Sequence, residues 1–288
     1  MKKLLTLVII FIAVTLSQAQ QRPAYLLFDR EGRQVDFGQM LEKSAQTQVV
    51  LFGELHNNPI AHWLQLELSR DLAEKFGENM VLGAEMFEAD NQLILNEYLK
   101  GMINERNFSA EAKLWNNYVT DYKPLVELAK EKGIPFIATN IPRRYAALVN
   151  RQGFDGLEAL TEEAKRYIAP LPPAYDPELP GYKAMLEMTG MPAHTKENFP
   201  KAQAIKDATM AHFLYENLNR SGVFVHYHGA YHSNNYEGIF WYLRQLDEKL
   251  QIVTISTVEQ DDISTLEEGN FGLADFIIVV PRTMTKTY

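Results

Sequence analysis

The apolar positions of the chain form short continuous runs that alternate with segments of helical periodicity. The run over residues 48–52 is continuous, which is typical of a strand covered on both faces. Similar runs predict strands over residues 80–84, 134–138, 223–227, 252–256 and 276–280. Ahead of them, residues 25–28 and 34–37 flank a turn at Gly32 and predict a hairpin.

Helical segments are indicated by apolar residues that recur every four positions and by residues typical of helix ends. Asn58 and Pro59 suit the N-cap and first helical position of a helix that closes at Phe76-Gly77. Other helices are predicted over residues 121–132, from residue 142 onward, over 200–219 and over 236–250. Strands that alternate with helices indicate βαβ units. The predicted fold class is therefore α/β, with a mostly parallel sheet flanked by helices.

Two segments interrupt this alternation, near residues 89–118 and 154–199. The first predicts additional helix after the second strand, and the second is rich in Pro, Tyr and Met. Both follow strands, so we expect them to project from the carboxyl edge of the sheet. We interpret them as a helical lid subdomain inserted into one α/β domain that spans residues 20–288.

The first residues have the pattern of a secretory signal peptide. Lys2 and Lys3 precede an apolar run over residues 4–16, and Ser17-Gln18-Ala19 provides the small residues of a cleavage site. The apolar run is short for a membrane span, although an uncleaved anchor is the alternative. We expect residues 1–19 to be removed, giving an exported, soluble protein in the periplasm or outside the cell.

Composition narrows the possible chemistry. The chain has no cysteine, so it has no disulfide, no thiolate ligand and no site for lipid acylation. Its formal net charge is −9, and no block of basic residues is present. Binding to nucleic acid or to an anionic membrane surface is therefore not expected. Candidate metal ligands are limited to His, Asp, Glu and Tyr.

Ionisable side chains accompany the ends of four predicted strands. They are Glu54 and His56, then Glu85, then Asn140, Arg143 and Arg144, and finally His226, His228 and His232. Because loops that follow parallel strands gather at one edge of a sheet, we expect these groups to converge there. The motif Gly-x-x-His occurs twice in this set, at Gly53/His56 and at Gly229/His232.

Alternatives remain open for several of these residues. Glu85 is either the partner of Arg143 or Arg144 in a structural salt bridge, or a metal ligand or general base. Both roles are compatible, since a salt-bridge partner can orient a side chain that also binds a metal. His226 is as consistent with a buried core histidine as with a ligand, and His62 could face the same edge.

The segments VVLFGELHNNPIAHW, LGAEMFE, TNIPRRY, AQAIKDATMA and HYHGAYHS occur in this order over most of the chain. With them the sequence resembles the ChaN-like haem-binding uptake proteins of the Tiki/TraB/erythromycin-esterase-like superfamily. The resemblance implies an α/β core with a helical subdomain and a role in haem binding for iron acquisition, with tyrosine as the iron ligand. Family members are often lipoproteins, whereas this chain has no cysteine to acylate.

The resemblance favours an exported protein that binds haem and takes part in haem or iron uptake. The candidate haem-binding residues all lie in or near the predicted lid: Tyr182 first, then Tyr175, Tyr118, Met185 and Met188. Expected partners are haem and components of a haem receptor or transporter, with a homodimer left open. A Tyr- and Met-lined pocket would suit a large flat apolar cofactor.

The alternative function is a metal-dependent hydrolase that resembles the peptidases of the superfamily. In that case a divalent metal would be held by His56, Glu85, His228 and His232. Glu54 would activate the bound water and Arg143 would stabilise the oxyanion. A hydrolase requires these groups to meet at one metal-sized point, whereas haem requires a wide apolar slot.

Overall fold

An eight-stranded mixed sheet lies at the centre of the computed structural model, which describes residues 22–187 and 196–288. The strands are β1 (Leu26–Asp29), β2 (Gln34–Val35), β3 (Val49–Glu54), β4 (Met80–Glu88), β5 (Phe136–Asn140), β6 (Val223–Gly229), β7 (Ile252–Gln260) and β8 (Phe276–Pro281). Their order across the sheet is β2-β1-β8-β7-β3-β6-β4-β5. The strands from β8 to β5 are parallel, and β1 pairs antiparallel with both β8 and β2.

Helices cover both faces of this sheet. Those with described bounds are α1 (Phe37–Ser44), α2 (Pro59–Phe76), α3 (Gln92–Leu99), α4 (Glu105–Glu111), α5 (Lys123–Lys132), α6 (Arg143–Gln152), α7 (Glu162–Lys165), α8 (Pro180–Glu187), α9 (Phe199–Glu216) and α10 (Ile239–Leu246). The predicted α/β class, with a mostly parallel sheet flanked by helices, is confirmed.

Strand β3 is buried on both faces of the sheet, which explains the continuous apolar run in its sequence. Val50 and Phe52 belong to the core under α2 and α5, whereas Val49 and Leu51 belong to the core under α9 and α10. All four side chains are fully buried. Since burying such a side chain contributes roughly 1.5–3 kcal/mol, this strand anchors both layers of helices.

Helix α2 begins as predicted. The Asn58 side chain accepts hydrogen bonds from the backbone N–H groups of Ile60 and Ala61, and Pro59 occupies the first helical position. Leu64, Leu68 and Leu72 are buried, so the four-residue period marks the face that packs on the sheet.

Several predicted boundaries are wrong. The second hairpin strand ends at Val35, because Asp36 caps α1 in a reciprocal capping box with Gln39. Strand β4 continues to Glu88, which places Glu85 inside the strand rather than after it. Helix α5 starts at Lys123, after a wide helical turn over Tyr118–Tyr122. Helix α10 is shorter than predicted at both ends, because backbone φ is positive at Tyr236 and Gly238 before it and Asp247 after it is extended.

The two interrupting segments contain the predicted additional helices. Helices α3 and α4 follow β4, and α7 and α8 lie between α6 and α9. Whether either segment acts as a lid stays a prediction. Met188 lies outside the described residues, as does the predicted signal peptide over residues 1–19. Within the described ranges, no helix combines the length and the apolar character that a membrane crossing requires.

Candidate functional site

The two Gly-x-x-His elements interlock at the carboxyl ends of the neighbouring strands β3 and β6. A Cβ atom on Gly53 would lie 2.8 Å from the Cα atom of Ala230, which follows the second glycine. A Cβ atom on Gly229 would lie 2.6 Å from Nε2 of His56. Each glycine therefore makes room for the other element, which explains why these strands end in glycine.

Glu54 is the centre of the first group of buried polar side chains. It is 1% exposed and accepts hydrogen bonds from His56 Nδ1 at 2.9 Å, Tyr122 Oη at 2.7 Å and Gln65 Nε2 at 2.6 Å. Burial would raise the pKa of this carboxyl group. The hydrogen bonds from His56 and His62 outweigh burial and lower the Glu54 pKa to about 2. Glu54 is therefore a fixed, fully engaged carboxylate.

His62 links Glu54 to a second carboxylate. Its Nδ1 lies 3.4 Å from Glu54 Oε2, and its Nε2 lies 3.3 Å from Asp121 Oδ2. Burial would lower the pKa of His62, but the two carboxylates raise it to about 9. Asp121 also accepts hydrogen bonds from Asn117 at 2.6 Å and from the hydroxyl of Thr287 at 2.8 Å. The prediction that His62 could face this edge is confirmed.

The second group joins β4, β6 and α9 through His232. Glu85 Oε2 accepts a hydrogen bond from the Gly229 N–H at 2.8 Å, and its Oε1 lies 3.2 Å from His232 Nε2. The other ring nitrogen of His232 contacts Asp207 in α9, whose second oxygen accepts the Tyr182 hydroxyl at 2.8 Å. Burial would lower the pKa of His232, but the two acids raise it to about 10.

One of the alternatives for Glu85, a salt bridge with Arg143 or Arg144, is not formed in the structure. Glu85 pairs instead with His232, and burial, which would raise the pKa of Glu85, is outweighed by that charged ring. Arg144 pairs with Asp90 at 2.6 Å. The reason is the register of β6 beside β4, which brings Gly229 and the following turn, rather than α6, onto Glu85.

His226 and His228 lie inside the sheet and bond to one another and to hydroxyl groups. His226 Nε2 bonds to Thr139 at 2.7 Å, and His228 Nε2 bonds to Ser233 at 2.8 Å. Burial lowers the pKa of both, to about 3 for His228, so both rings are neutral. In the described part of the chain, no group of three or more His, Asp or Glu side chains has an arrangement that could hold a metal ion.

A large open cleft lies beside the Glu54–His56 pair. Its volume is about 810 Å³, and apolar parts of its wall come from Leu114, Trp115, Ala147 and Tyr288. The Trp115 ring meets the His56 ring edge-on, with 4.9 Å between their centroids. The cleft is thus connected to the carboxyl edge of the sheet through Trp115 and Asn117, which contact His56 but leave its side chain 33% exposed.

The cleft wall also carries three cations. Lys113 lies 3.0 Å from carboxylate oxygens of both Glu88 and Asp90, and Arg144 pairs with Asp90. Arg143 lines the same cleft and forms no ion pair with any described residue. Among the described residues to which the sequence analysis assigned a catalytic, metal-binding or haem-binding role, Arg143 is the one that lines this cleft.

The predicted haem-binding residues that the structure describes, Tyr182, Tyr175, Tyr118 and Met185, do not line this cleft. Tyr182 is buried, and burial together with Asp207 raises the pKa of its phenol. Tyr175 is half-buried and its ring stacks near that of Tyr182, while Met185 packs beneath them. Tyr118 is also buried, and its hydroxyl has no hydrogen-bond partner among the described residues. Roles for these residues stay predictions.

Sequence reasoning missed several residues of the site, namely Asp207, Tyr122, Trp115, Asn117 and Tyr288. For Asp207 a signal existed, because it is a charged residue on the buried face of α9, flanked by Ala204, Ala208 and Ala211. Trp115, Asn117 and Tyr288 lie outside regular elements, so no periodic pattern marks them.

Most of the chain matches a known protein family. The sequence model of the family described as haem-binding uptake, Tiki superfamily, ChaN matches residues 40–243. No curated protein sequence matches the chain.

Three solved structures illustrate what the chain is similar to, and the first of them shares its fold. The structure described as cofacial heme binding to ChaN of Campylobacter jejuni has a TM-score of 0.68 and 15% identity, and covers 89% of this chain and 96% of that chain. An erythromycin esterase mutant in its open conformation has a TM-score of 0.49 and 10% identity, and covers 88% of this chain and 97% of that chain. A Bacillus cereus protein has a TM-score of 0.49 and 12% identity, and covers 84% of this chain and 90% of that chain.

Proposed function

The chain belongs to the haem-binding uptake family of the Tiki superfamily that includes ChaN, and we propose that it binds haem as an exported component of iron uptake. The observation that carries this proposal is the open cleft near His56, whose partly apolar wall also carries Arg143, an arginine with no ion partner among the described residues. The Campylobacter jejuni ChaN with the same fold binds heme cofacially. That property of a relative supports haem as the ligand class for this protein.

The residues of the cleft fit the chemistry of haem. Haem is a flat apolar ring system with two carboxylate groups and an iron that accepts phenol, imidazole or thioether ligands. Trp115 and Leu114 would pack against the ring, and Arg143 would face a carboxylate. A volume of about 810 Å³ falls in the range of small-molecule pockets. When bound, haem would supply the iron that the protein carries.

Tyr288 is the one tyrosine among the described residues that lines the cleft, and it is 65% exposed. We therefore place it first among candidate iron ligands. Tyr182 remains a candidate, but its hydroxyl would first have to leave Asp207. Tyr175 and Tyr118 would also have to be uncovered.

A divalent metal centre with hydrolytic activity is not favoured. Glu54, Glu85 and His232 bond to one another or to their neighbours. His56 uses Nδ1 for Glu54 and places Nε2 against Gly229. Binding a metal there would break an arrangement in which each buried charge already has a partner.

The test is a hemin titration of the protein without residues 1–19, followed by its absorption spectrum and a metal analysis. We expect a saturable Soret change, which Tyr288→Phe alters while Tyr118→Phe does not. The Phe variants keep the ring and remove one oxygen, so the fold should survive. Absence of saturable hemin binding would contradict the proposed function. An unchanged spectrum in Tyr288→Phe, with a change in Tyr182→Phe or Tyr175→Phe, would move the ligand to α8 or its preceding loop.

Export is tested separately by expression of the full chain with its first residues intact. N-terminal sequencing of the mature protein should begin near Gln20, since Ala19 ends the predicted cleavage site. A product that keeps Met1 and stays in the membrane fraction would contradict export as a free protein.

A further inference from the structure

The three cations of the cleft are not equivalent. Asp90 accepts Arg144 at 2.6 Å and Lys113 at 3.0 Å, and Glu88 accepts Lys113 at 3.0 Å. Two acids therefore balance two of the cations, and hold their side chains against the wall. Arg143 adds a full positive charge for which the described residues provide no partner.

Arg143 is also placed to meet a ligand rather than the protein interior. It is the first residue of α6 and is exposed, whereas Ala146 and Val149 of the same helix are buried in the core. The cleft wall that Arg143 shares carries Trp115 and Tyr288. A molecule that fills this cleft would contact aromatic surface and a free guanidinium group together.

We propose that Arg143 makes the cleft selective for planar aromatic ligands that carry a free carboxylate, the propionates in the case of haem. This inference rests on the proposed function. Arginine suits the role because its planar fork binds both oxygens of a carboxylate. Asp90 contributes to this selectivity. Its ion pairs with Arg144 and Lys113 keep those two cations from forming a second anion site of equal strength.

The experiment compares hemin with hemin dimethyl ester, in which both carboxylates are blocked. Affinities are measured for the wild-type protein, Arg143→Met and the matched control Arg151→Met, which removes an exposed arginine of the same helix that does not line the cleft. We expect Arg143→Met to lose about tenfold to hundredfold in hemin affinity, as befits a charged hydrogen bond. Affinity for the ester should stay unchanged in Arg143→Met, and Arg151→Met should bind both ligands nearly as the wild type does.

Arg143→Lys provides a further check, because it keeps the charge and removes the fork. We expect it to recover part of the hemin affinity. Circular dichroism and thermal unfolding of each variant control for folding, and the exposed position makes loss of fold unexpected.

Distinct outcomes separate this inference from the proposed function. If the wild type binds hemin and Arg143→Met binds it equally well, carboxylate recognition by Arg143 is wrong and haem binding stands. Equal losses for hemin and its ester would likewise overturn it, since the lost contact would then not involve a carboxylate. If the wild-type protein binds neither ligand, both proposals fail.

Discussion

Two charged regions lie side by side at the carboxyl edge of the sheet, and they differ in how their charges are matched. The histidine–carboxylate network consists of Asp121, His62, Glu54, His56, Glu85, His232 and Asp207. Its members are buried except for part of His56, and each charged group touches an opposite charge. The neighbouring cleft is open and leaves Arg143 without an ion partner in the described residues.

A charge is available to a ligand only where the protein itself does not already match it. An isolated buried charge is very costly, so the members of the network must hold one another, and removing any of them from its partner carries a large penalty. Exposed ion pairs in the cleft contribute little to stability, so the fold tolerates changes to them. Ionisable residues at a sheet edge are thus not ligands by position alone.

Disrupting the histidine–carboxylate network should cause the largest loss in the free energy of unfolding. Asp207→Ala leaves His232 with one acid instead of two and deprives the Tyr182 hydroxyl of its acceptor. We expect a loss of roughly 3–5 kcal/mol in the free energy of unfolding, measured with urea. The matched control is Asp90→Ala in the cleft, which should cost under about 1 kcal/mol. Equal losses for both variants would remove the distinction between the two regions.

The pH dependence of stability should reflect the network as well. The pKa of His62 is raised from 6.5 to about 9, so its contribution is complete below pH 6.5 and is lost as the pH rises through about 9. His232 behaves alike, with a pKa of about 10. The pKa of Glu54 is lowered from 4.5 to about 2, so its contribution is lost as the pH falls from 4.5 through about 2.

Stability is therefore expected to be greatest near pH 6.5, because the lowered pKa values of His226 and His228 favour unfolding as the pH falls below 6.5. From there to pH 9 the free energy of unfolding should fall by roughly 2–3 kcal/mol for His62 alone. Urea unfolding at both pH values measures the change, and His62→Gln should reduce it. A wild-type protein equally stable at pH 6.5 and pH 9 would show that these histidines are not charged in the fold.

Gly229→Ala should cause an intermediate loss in the free energy of unfolding. The added methyl group would meet His56 Nε2 at 2.6 Å, so the ring must shift and strain its bond to Glu54. We expect a loss of roughly 2 kcal/mol in unfolding free energy. Gly269→Ala is the control, because a Cβ atom there meets nothing within 4 Å. If both alanine variants are equally stable, the interlock of the two glycine-histidine elements is looser than described.

The smallest expected change lies in the cleft. Asp90→Asn keeps the shape of the side chain and removes the charge that balances Lys113 and Arg144. Both cations should then contribute to anion binding, and hemin affinity should rise by about two- to threefold, or roughly 0.5 kcal/mol. Added salt should abolish the gain, since the groups are exposed. A fall in affinity would indicate that Asp90 positions the cations for the ligand.

The sequence was sufficient for the sheet, its parallel core and the edge where the polar groups gather. These features follow from apolar periodicity and helix caps such as Asn58, which act locally. The ion pairs could not be predicted, because the partner of Glu85 depends on the register between β4 and β6 and on Asp207, which lies far away in the chain.

The cleft was also beyond reach of sequence patterns. Its apolar wall comes from Trp115 and Tyr288, which lie in irregular segments and carry no periodic signal. The sequence favoured Tyr182 for its position after Gly181 and its neighbouring methionines. In the fold, Gly181 instead bonds its N–H to Glu237 at 2.7 Å, and the tyrosine points inward to Asp207.

The position of β6 in the sheet has a consequence for the order in which the protein folds. This strand lies between β3 and β4, although both of them precede it by more than a hundred positions in the sequence. Until Val223–Gly229 arrives, β3 and β4 each expose an unpaired edge, which favours association with other chains. Such distant pairing also slows folding. We therefore expect refolding to be slow and sensitive to protein concentration, with the histidine–carboxylate network among the last parts to assemble.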